Sequence, residues 1–196
     1  MHFRRYGLLL ECGYFSDLMN AVHEIEAQLF ERVKRRMSHQ VSVIFVCLGN
    51  ICRSPTAHAV FRRLVDEASL SDTILIDSAG TAAYHVGKQP DGRSMQVAES
   101  RGIPMADLRA RKVDLGDIIQ FDYILAMDRS NYMNLMELAL PEHREKIRMF
   151  LDFAPEYDET EVPDPYYGGP AGFDHVFNLV TAASKGLLDD IRANHL

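Results

Sequence analysis

Val41-Ser42-Val43-Ile44-Phe45-Val46-Cys47-Leu48-Gly49-Asn50-Ile51-Cys52-Arg53-Ser54-Pro55 changes character twice along its length. Val41 to Val46 is a short, nearly continuous apolar run, the pattern of a strand buried on both faces of a parallel sheet. Pro55 is favoured at the first position of a helix, Ser54 is a suitable cap before it, and Ala57, Val60, Phe61, Leu64, Val65 and Ala68 recur on one helical face. Between strand and helix lies the segment Cys47 to Ser54, placed at the carboxyl end of the strand.

Outward from this unit the alternation continues. Ile74 to Ala79 reads as a second strand, Met95 to Arg101 as a helix stopped by Gly102, and Tyr123 to Met127 as a third strand. Asn131 to Leu138 reads as a helix and Ile147 to Leu151 as a fourth strand. A last helix buries Phe173, Val176, Phe177, Val180, Ala183, Leu187 and Ile191. Strand and helix in this order predict an α/β fold: a four-stranded parallel sheet with helices on both faces and a phosphate-binding loop between the first strand and the first helix.

Residues 1–36 read differently. Leu18, Val22, Ile25, Leu29 and Val33 recur at three- and four-residue steps, so Ser16 to Arg36 can form one amphipathic helix. Met37 stands just ahead of the first strand, and two readings stay open: an N-terminal extension, or a segment outside the working protein with translation beginning at Met37. The domain expected over 37–196 is the same in both.

The 196 residues include 47% hydrophobic ones, enough for one domain with a full core, and carry a formal net charge of -7. That balance argues against nucleic acid as a partner, so any phosphate must be bound by local design. No apolar run approaches the roughly 18 to 20 residues that cross a bilayer, and Leu8, Leu9 and Leu10 give way at once to Glu11 and Cys12, unlike a signal peptide. Three cysteines, an odd number, fit a reducing compartment, and a cytoplasmic protein without a membrane partner is expected.

The segment Cys47 to Ser54 has the chemistry of an anion cradle. Backbone N–H groups of a tight loop, together with the positive end of the following helix, bind a tetrahedral oxyanion. Gly49 lets the chain turn and Asn50 tolerates a left-handed conformation. Arg53 can grip two phosphate oxygens through its planar fork, which lysine cannot reproduce. The field that holds an anion also favours a thiolate at Cys47, ready to attack phosphorus, and Ser54 is close enough in sequence to donate a hydrogen bond to that sulfur. Cys52 either packs in the core or serves as a redox partner for Cys47. A leaving oxygen needs a proton, and Asp164, between Pro163 and Pro165, is the candidate acid on a restrained loop.

Together, Val46 to Pro55, Asp77-Ser78-Ala79-Gly80-Thr81, Phe121 to Asp128 and Asp164-Pro165-Tyr166-Tyr167 resemble the low-molecular-weight protein tyrosine phosphatases, most closely the bacterial branch. The resemblance spans roughly Val41 to Leu196. It implies a phosphatase that hydrolyses phosphotyrosine and aryl phosphates through a phosphocysteine on Cys47, with Arg53 on the phosphate and Asp164 as acid and then base. It further implies that Leu48, Gly49, Asn50, Ile51, Cys52 and Ser54 wrap the phosphate, that Asn50, Ser54 and Ser78 hold the loop, and that Tyr84, Tyr166 and Tyr167 form an aromatic rim. The implied substrate is a phosphotyrosine protein, such as a bacterial tyrosine kinase, and no cofactor is implied. The family often has a histidine in the loop-holding network where Leu108 stands here.

His58, His85, His143 and His175 lack metal-ligand spacing, so no metal is expected, and they read as surface or satisfied core. Arg62, Arg63, Arg109, Arg111 and Lys112 read as solvated charges. The rival functions are an arsenate reductase of the same fold, which needs a cysteine relay although no cysteine follows Cys52, and an idle phosphotyrosine-binding module, against which Asp164 counts.

Overall fold

The computed structural model describes residues 19, 22, 23, 26, 40–166 and 169–196. Contacts divide the chain into two units, Met1–Ser38 and His39–Leu196. In the first, the described residues Met19, Val22, His23 and Glu26 are helical, and His23 Nδ1 donates to the Met19 carbonyl at 2.8 Å. The remainder of the amphipathic segment expected over 16–36 lies outside the described residues.

In the second unit, all seven residues of β1 (Val41–Cys47) are buried. The strand is paired on both edges, with β2 (Ile74–Gly80) and β3 (Tyr123–Ala126), and β4 (Ile147–Met149) follows β3, giving the parallel order β2-β1-β3-β4. The helices are α1 (Arg53–Glu67), α2 (Gly92–Glu99), α3 (Leu115–Gln120), α4 (Arg129–Leu138) and α5 (Pro170–His195).

Because side chains alternate along a strand, β1 feeds two cores. Val41, Val43, Phe45 and Cys47 join Phe61 and Val65 of α1 and Val180 and Leu187 of α5; Ile44 and Val46 join Ile118 of α3 and Leu135 of α4. Phe45 meets the rings of Phe61 and Phe150 edge-on, with centroids 5.7 and 5.0 Å away, an arrangement that adds quadrupole attraction to area burial. No helix among the described residues is long and apolar enough to cross a membrane.

Three local departures have physical reasons. The fourth strand ends at Met149 instead of Leu151, and Phe150–Phe153 forms a 3-10 turn. In a strand, Phe150 and Leu151 would face opposite sides of the sheet, but the turn directs Phe150, Leu151 and Phe153 into one core. Helix α3 had no counterpart in the sequence reading, although its signal was present: Asp114 and Asp117 form a reciprocal capping box. Helix α2 begins at Gly92, ahead of Met95, because the Asp91 carboxylate accepts from Arg93 N at 2.9 Å.

Gly186 on α5 lies against the 3-10 turn so closely that a Cβ there would stand 1.9 Å from the Phe153 carbonyl oxygen. Backbone cannot rotate away as a side chain can. Gly186→Ala is therefore expected to cost about 3 kcal/mol of stability by overpacking, read as a lowered urea midpoint. A midpoint equal to that of the original protein would show that helix and turn separate freely.

Candidate active site

Helix α1 packs on one face of the sheet and α4 on the other, so the loops leaving β1 and β3 diverge and open a crevice at the strands' carboxyl ends. Cys47 ends β1 in that crevice and Asp128 follows β3. A pocket of about 350 Å3 there is lined by Cys47, Leu48, Gly49, Ile51, Cys52, Arg53, Tyr84, His85, Asp164 and Tyr166.

The loop is tied down from outside. The carbonyls of Cys47, Leu48 and Ile51 accept from Thr81 N, Ala82 N and Asp91 N at 2.9, 2.9 and 2.8 Å. In a planar trans peptide the next N–H points the opposite way, so these bonds turn the N–H groups of Leu48, Gly49 and Cys52 inward. Asn50 has φ of 54°, the left-handed conformation that asparagine tolerates. Gly49 has no positive φ; its missing side chain leaves room for His85, whose Cδ2 a Cβ would approach to 2.9 Å. At Gly80 a Cβ would come within 2.7 Å of the Leu48 carbonyl oxygen, so the loop can rest on the end of β2 only over glycine.

Cys47 Sγ lies 3.1 Å from Ser54 Oγ and accepts from Asn50 N at 3.3 Å. Ser54 is not the helix cap, which is Cys52; it sits in the first turn of α1 with its hydroxyl turned back to the sulfur. Asn50 Nδ2 donates to Ser54 Oγ at 2.8 Å, and Ser54 Oγ also lies 3.2 Å from the Ala79 carbonyl. A hydroxyl has one proton to give. Beside a thiol it can donate to Ala79 while the S–H donates to it; beside a thiolate it must turn to sulfur.

Arg53 is 3% exposed and its guanidinium is paired: Nη1 donates to Asp128 Oδ2 at 2.5 Å and to the Val162 carbonyl at 3.2 Å, and Nη2 to Asp164 Oδ2 at 3.2 Å. Burial alone would depress this guanidinium, but the charge of Cys47 and the carboxylates of Asp128 and Asp164 outweigh it and raise its proton affinity. The other oxygen of Asp128 accepts from Asn131 N at 2.7 Å and caps α4, so one carboxylate holds both a helix end and the guanidinium. Asp164 Oδ1 accepts from Tyr166 N at 3.0 Å.

Two flanks, each built on an arginine paired with carboxylates, carry a further layer of support. Arg111 N donates to Asn50 Oδ1 at 3.0 Å, which orients the amide so that Nδ2 meets Ser54. Its guanidinium pairs with Asp117 at 2.8 and 3.0 Å and with Asp77 at 2.9 Å. Arg111 is thus a braced residue rather than the solvated charge expected from sequence, and Arg62 likewise pairs with Asp107 at 2.6 Å. Ser78 is buried, and its Oγ lies 3.4 Å from His58 Nδ1 on α1, while Leu108 packs against the first core. On the other flank Arg93 pairs with Asp91 at 2.9 Å, donates to the Tyr166 carbonyl at 3.1 Å, and stacks on the rings of Tyr166 and Phe173. Arg93 and His85 had no signal in their local sequence, since only the tertiary fold brings them to the loop; Asp128 ends the segment Phe121 to Asp128 that carries the resemblance, but its pairing with Arg53 is set by the fold.

Tyr84 and Tyr166 stand exposed at the pocket mouth, and Tyr167 lies outside the described residues. Among the described residues no cluster of His, Cys, Asp or Glu is placed to hold a metal ion. Cys52 is buried, and burial, then the charges of Asp91 and Cys47, push its thiol up to about 12.

The family model described as low molecular weight phosphotyrosine protein phosphatase matches residues 42–196. A phosphatase of that description from Schizosaccharomyces pombe is 44% identical over 158 residues, covering 79% of this chain and 99% of the relative. A low molecular weight protein-tyrosine-phosphatase from Bacillus subtilis is 40% identical over 152 residues, covering 78% of this chain and 96% of its own length. Among solved structures, the protein tyrosine phosphatase of Entamoeba histolytica superposes with a TM-score of 0.76 at 41% identity, covering 78% of this chain and 97% of that one.

The raised Cys52 thiol separates the two loop cysteines chemically. Iodoacetamide at neutral pH should alkylate Cys47 and leave Cys52 unlabelled in the folded protein, as read by peptide mass mapping, because alkylation requires a thiolate. Comparable labelling of both would show that Cys52 is not shielded as the folded loop implies.

Proposed function

The chain belongs to the low molecular weight phosphotyrosine protein phosphatases, phosphoric monoester hydrolases, and from that premise we propose how its own residues divide the hydrolysis of phosphotyrosine. The observation that carries the assignment is the position of Cys47 Sγ, bonded by Asn50 N and beside Ser54 Oγ, under a loop whose N–H groups face the same space.

The phosphate of the substrate enters among the loop N–H groups, and Arg53 turns donors toward its oxygens. Asp164 is thereby released from Nη2 and, with the guanidinium given over to the phosphate, takes up a proton from solvent and faces the leaving oxygen. The Cys47 thiolate attacks phosphorus, the bond from phosphorus to the tyrosine oxygen breaks, and Asp164 gives that oxygen its proton. Asp164, now a carboxylate, takes a proton from water as the water oxygen attacks phosphorus. The sulfur–phosphorus bond breaks, inorganic phosphate leaves, and the thiolate returns, stabilised by the Ser54 hydroxyl proton. Asn50 and Ser54 hold the loop directly. Ser78 supports it from β2, with the His58 imidazole beside it.

Leu48, Gly49, Ile51 and Cys52 complete the phosphate cradle, and Tyr84 and Tyr166 form a rim suited to a flat aryl group, a role the family resemblance extends to Tyr167. Cys52 is proposed as the thiol that captures a peroxide-generated sulfenic acid on Cys47, forming a disulfide and releasing water once the oxidised loop opens enough for the buried thiol to ionise. The working domain is taken as 37–196. Its physiological substrate is a tyrosine-phosphorylated protein, and an autophosphorylating bacterial tyrosine kinase is the candidate suggested by the bacterial members of the family.

Cys47→Ser should abolish release of phosphate from p-nitrophenyl phosphate while leaving the circular dichroism spectrum and melting cooperativity unchanged. Substantial residual turnover would rule out the phosphocysteine.

Asp164→Asn should lower the rate with phosphotyrosine by about 100-fold or more, and by much less with aryl phosphates whose leaving groups need no proton. Equal losses across a series of leaving-group pKa values would transfer the acid role to another group, Asp128 being the nearest carboxylate on Arg53.

A further inference from the structure

Leu48 and Tyr84 border two depressions rather than one. On one side is the pocket that ends at Cys47; on the other is a groove of about 710 Å3 walled also by Thr81, Lys112, Leu115 and Leu138. We propose that this groove receives the stretch of substrate polypeptide flanking the phosphotyrosine, and that it favours an acidic and an apolar side chain there. The proposal rests on the phosphatase reading and adds to it a determinant of which phosphoproteins are chosen.

Continuity is the first argument. A phosphotyrosine ring seated over Cys47 must hand its main chain out across the rim, and Leu48 and Tyr84 are shared by rim and groove. The second argument is chemical. Leu48, Leu115 and Leu138 are 43%, 40% and 36% exposed. An exposed leucine by itself needs no explanation, but three around one depression make an apolar surface that a side chain can cover.

The same groove holds one cation, Lys112, and one carboxylate, Asp114, the latter already committed to capping α3. The Lys112 ammonium makes no ion pair among the described residues, in a chain whose net charge is -7, so it is a local cation against the prevailing field. An apolar wall and one cation match a peptide carrying a leucine-like and a glutamate-like side chain. A small aryl phosphate seated over Cys47 would reach none of Lys112, Leu115 and Leu138.

The test uses the full chain carrying Cys47→Ser and labelled phosphotyrosine peptides, one flanked by Glu and Leu on both sides and one by Ser, with affinity read by fluorescence anisotropy. The Glu- and Leu-flanked peptide is expected to bind tighter. Lys112→Gln should weaken it by about threefold and Leu115→Asp by about tenfold, with little effect on the Ser-flanked peptide. Leu115 opens α3, where an acidic residue suits the helix dipole, so the second variant is expected to fold. With Cys47 restored, both variants should keep kcat/KM for p-nitrophenyl phosphate within about twofold, as expected of rim charges and contacts that the small substrate never meets.

Equal affinity for the two peptides, or variants that weaken both alike, would overturn the proposal. A dimer in solution that Leu115→Asp dissociates, with peptide affinity unmoved, would overturn it too and give the face to a second copy of the chain. Peptide affinity is read without turnover, so a failure of the original chain to hydrolyse p-nitrophenyl phosphate would strike the phosphatase reading and leave the groove to be judged by binding.

Discussion

The charge of Arg53 is almost entirely withdrawn from water, and a buried guanidinium is tolerable only when its donors are occupied. Its partners come from distant parts of the chain. Asp128 stands between β3 and α4, while Val162 and Asp164 lie in the segment before α5. Satisfying one side chain therefore draws two distant segments to the mouth of β1, and the acid needed for catalysis arrives as one of the counter-charges. The same pairing makes the site responsive, because an entering phosphate offers the guanidinium a replacement for Asp164.

Around that charge, support is built from groups that each serve two neighbours. Asp128 caps α4 with one oxygen and holds Arg53 with the other. Asn50 accepts from Arg111 N and donates to Ser54, so the left-handed residue of the loop is clamped through both ends of its amide. Arg111 in turn is locked by Asp77 on β2 and Asp117 on α3. Breaking any one of these leaves a second group unsatisfied in a poorly solvated place, and such a loss costs more than the bond itself contributes. A loop-holding histidine, expected from the family resemblance where Leu108 stands, is absent, yet an imidazole stands beside Ser78, contributed by His58 from α1. Leucine at 108 is then free to pack in the core.

Much of this was legible in the linear sequence. The parallel strands, their order of appearance, and the helices α1, α4 and α5 follow from apolar periodicity, because each is buried by a face or a run that the residues display on their own. The anion loop was legible as well, since its N–H cradle, cysteine and arginine are contiguous and their chemistry is local. Less visible were the 3-10 turn at Phe150–Phe153, where a strand-like apolar run is bent by the need to bury neighbouring residues on one side, and the short α3, whose capping box is its clearest mark.

The sequence by itself determined the fold class, the nucleophile candidate Cys47 with its loop, and the acid candidate Asp164. Only the tertiary structure decided which charges support them. Asp128, Arg111, Arg93 and His58 look like ordinary polar residues in their own segments, and their roles arise from pairings across long separations in sequence. Such pairings leave no periodic trace, because a single partner at a single place satisfies them. The groove beyond Leu48 and Tyr84 has the same origin: Thr81, Lys112, Leu115 and Leu138 come from separate segments, and a concave surface exists only where folding has brought its walls together.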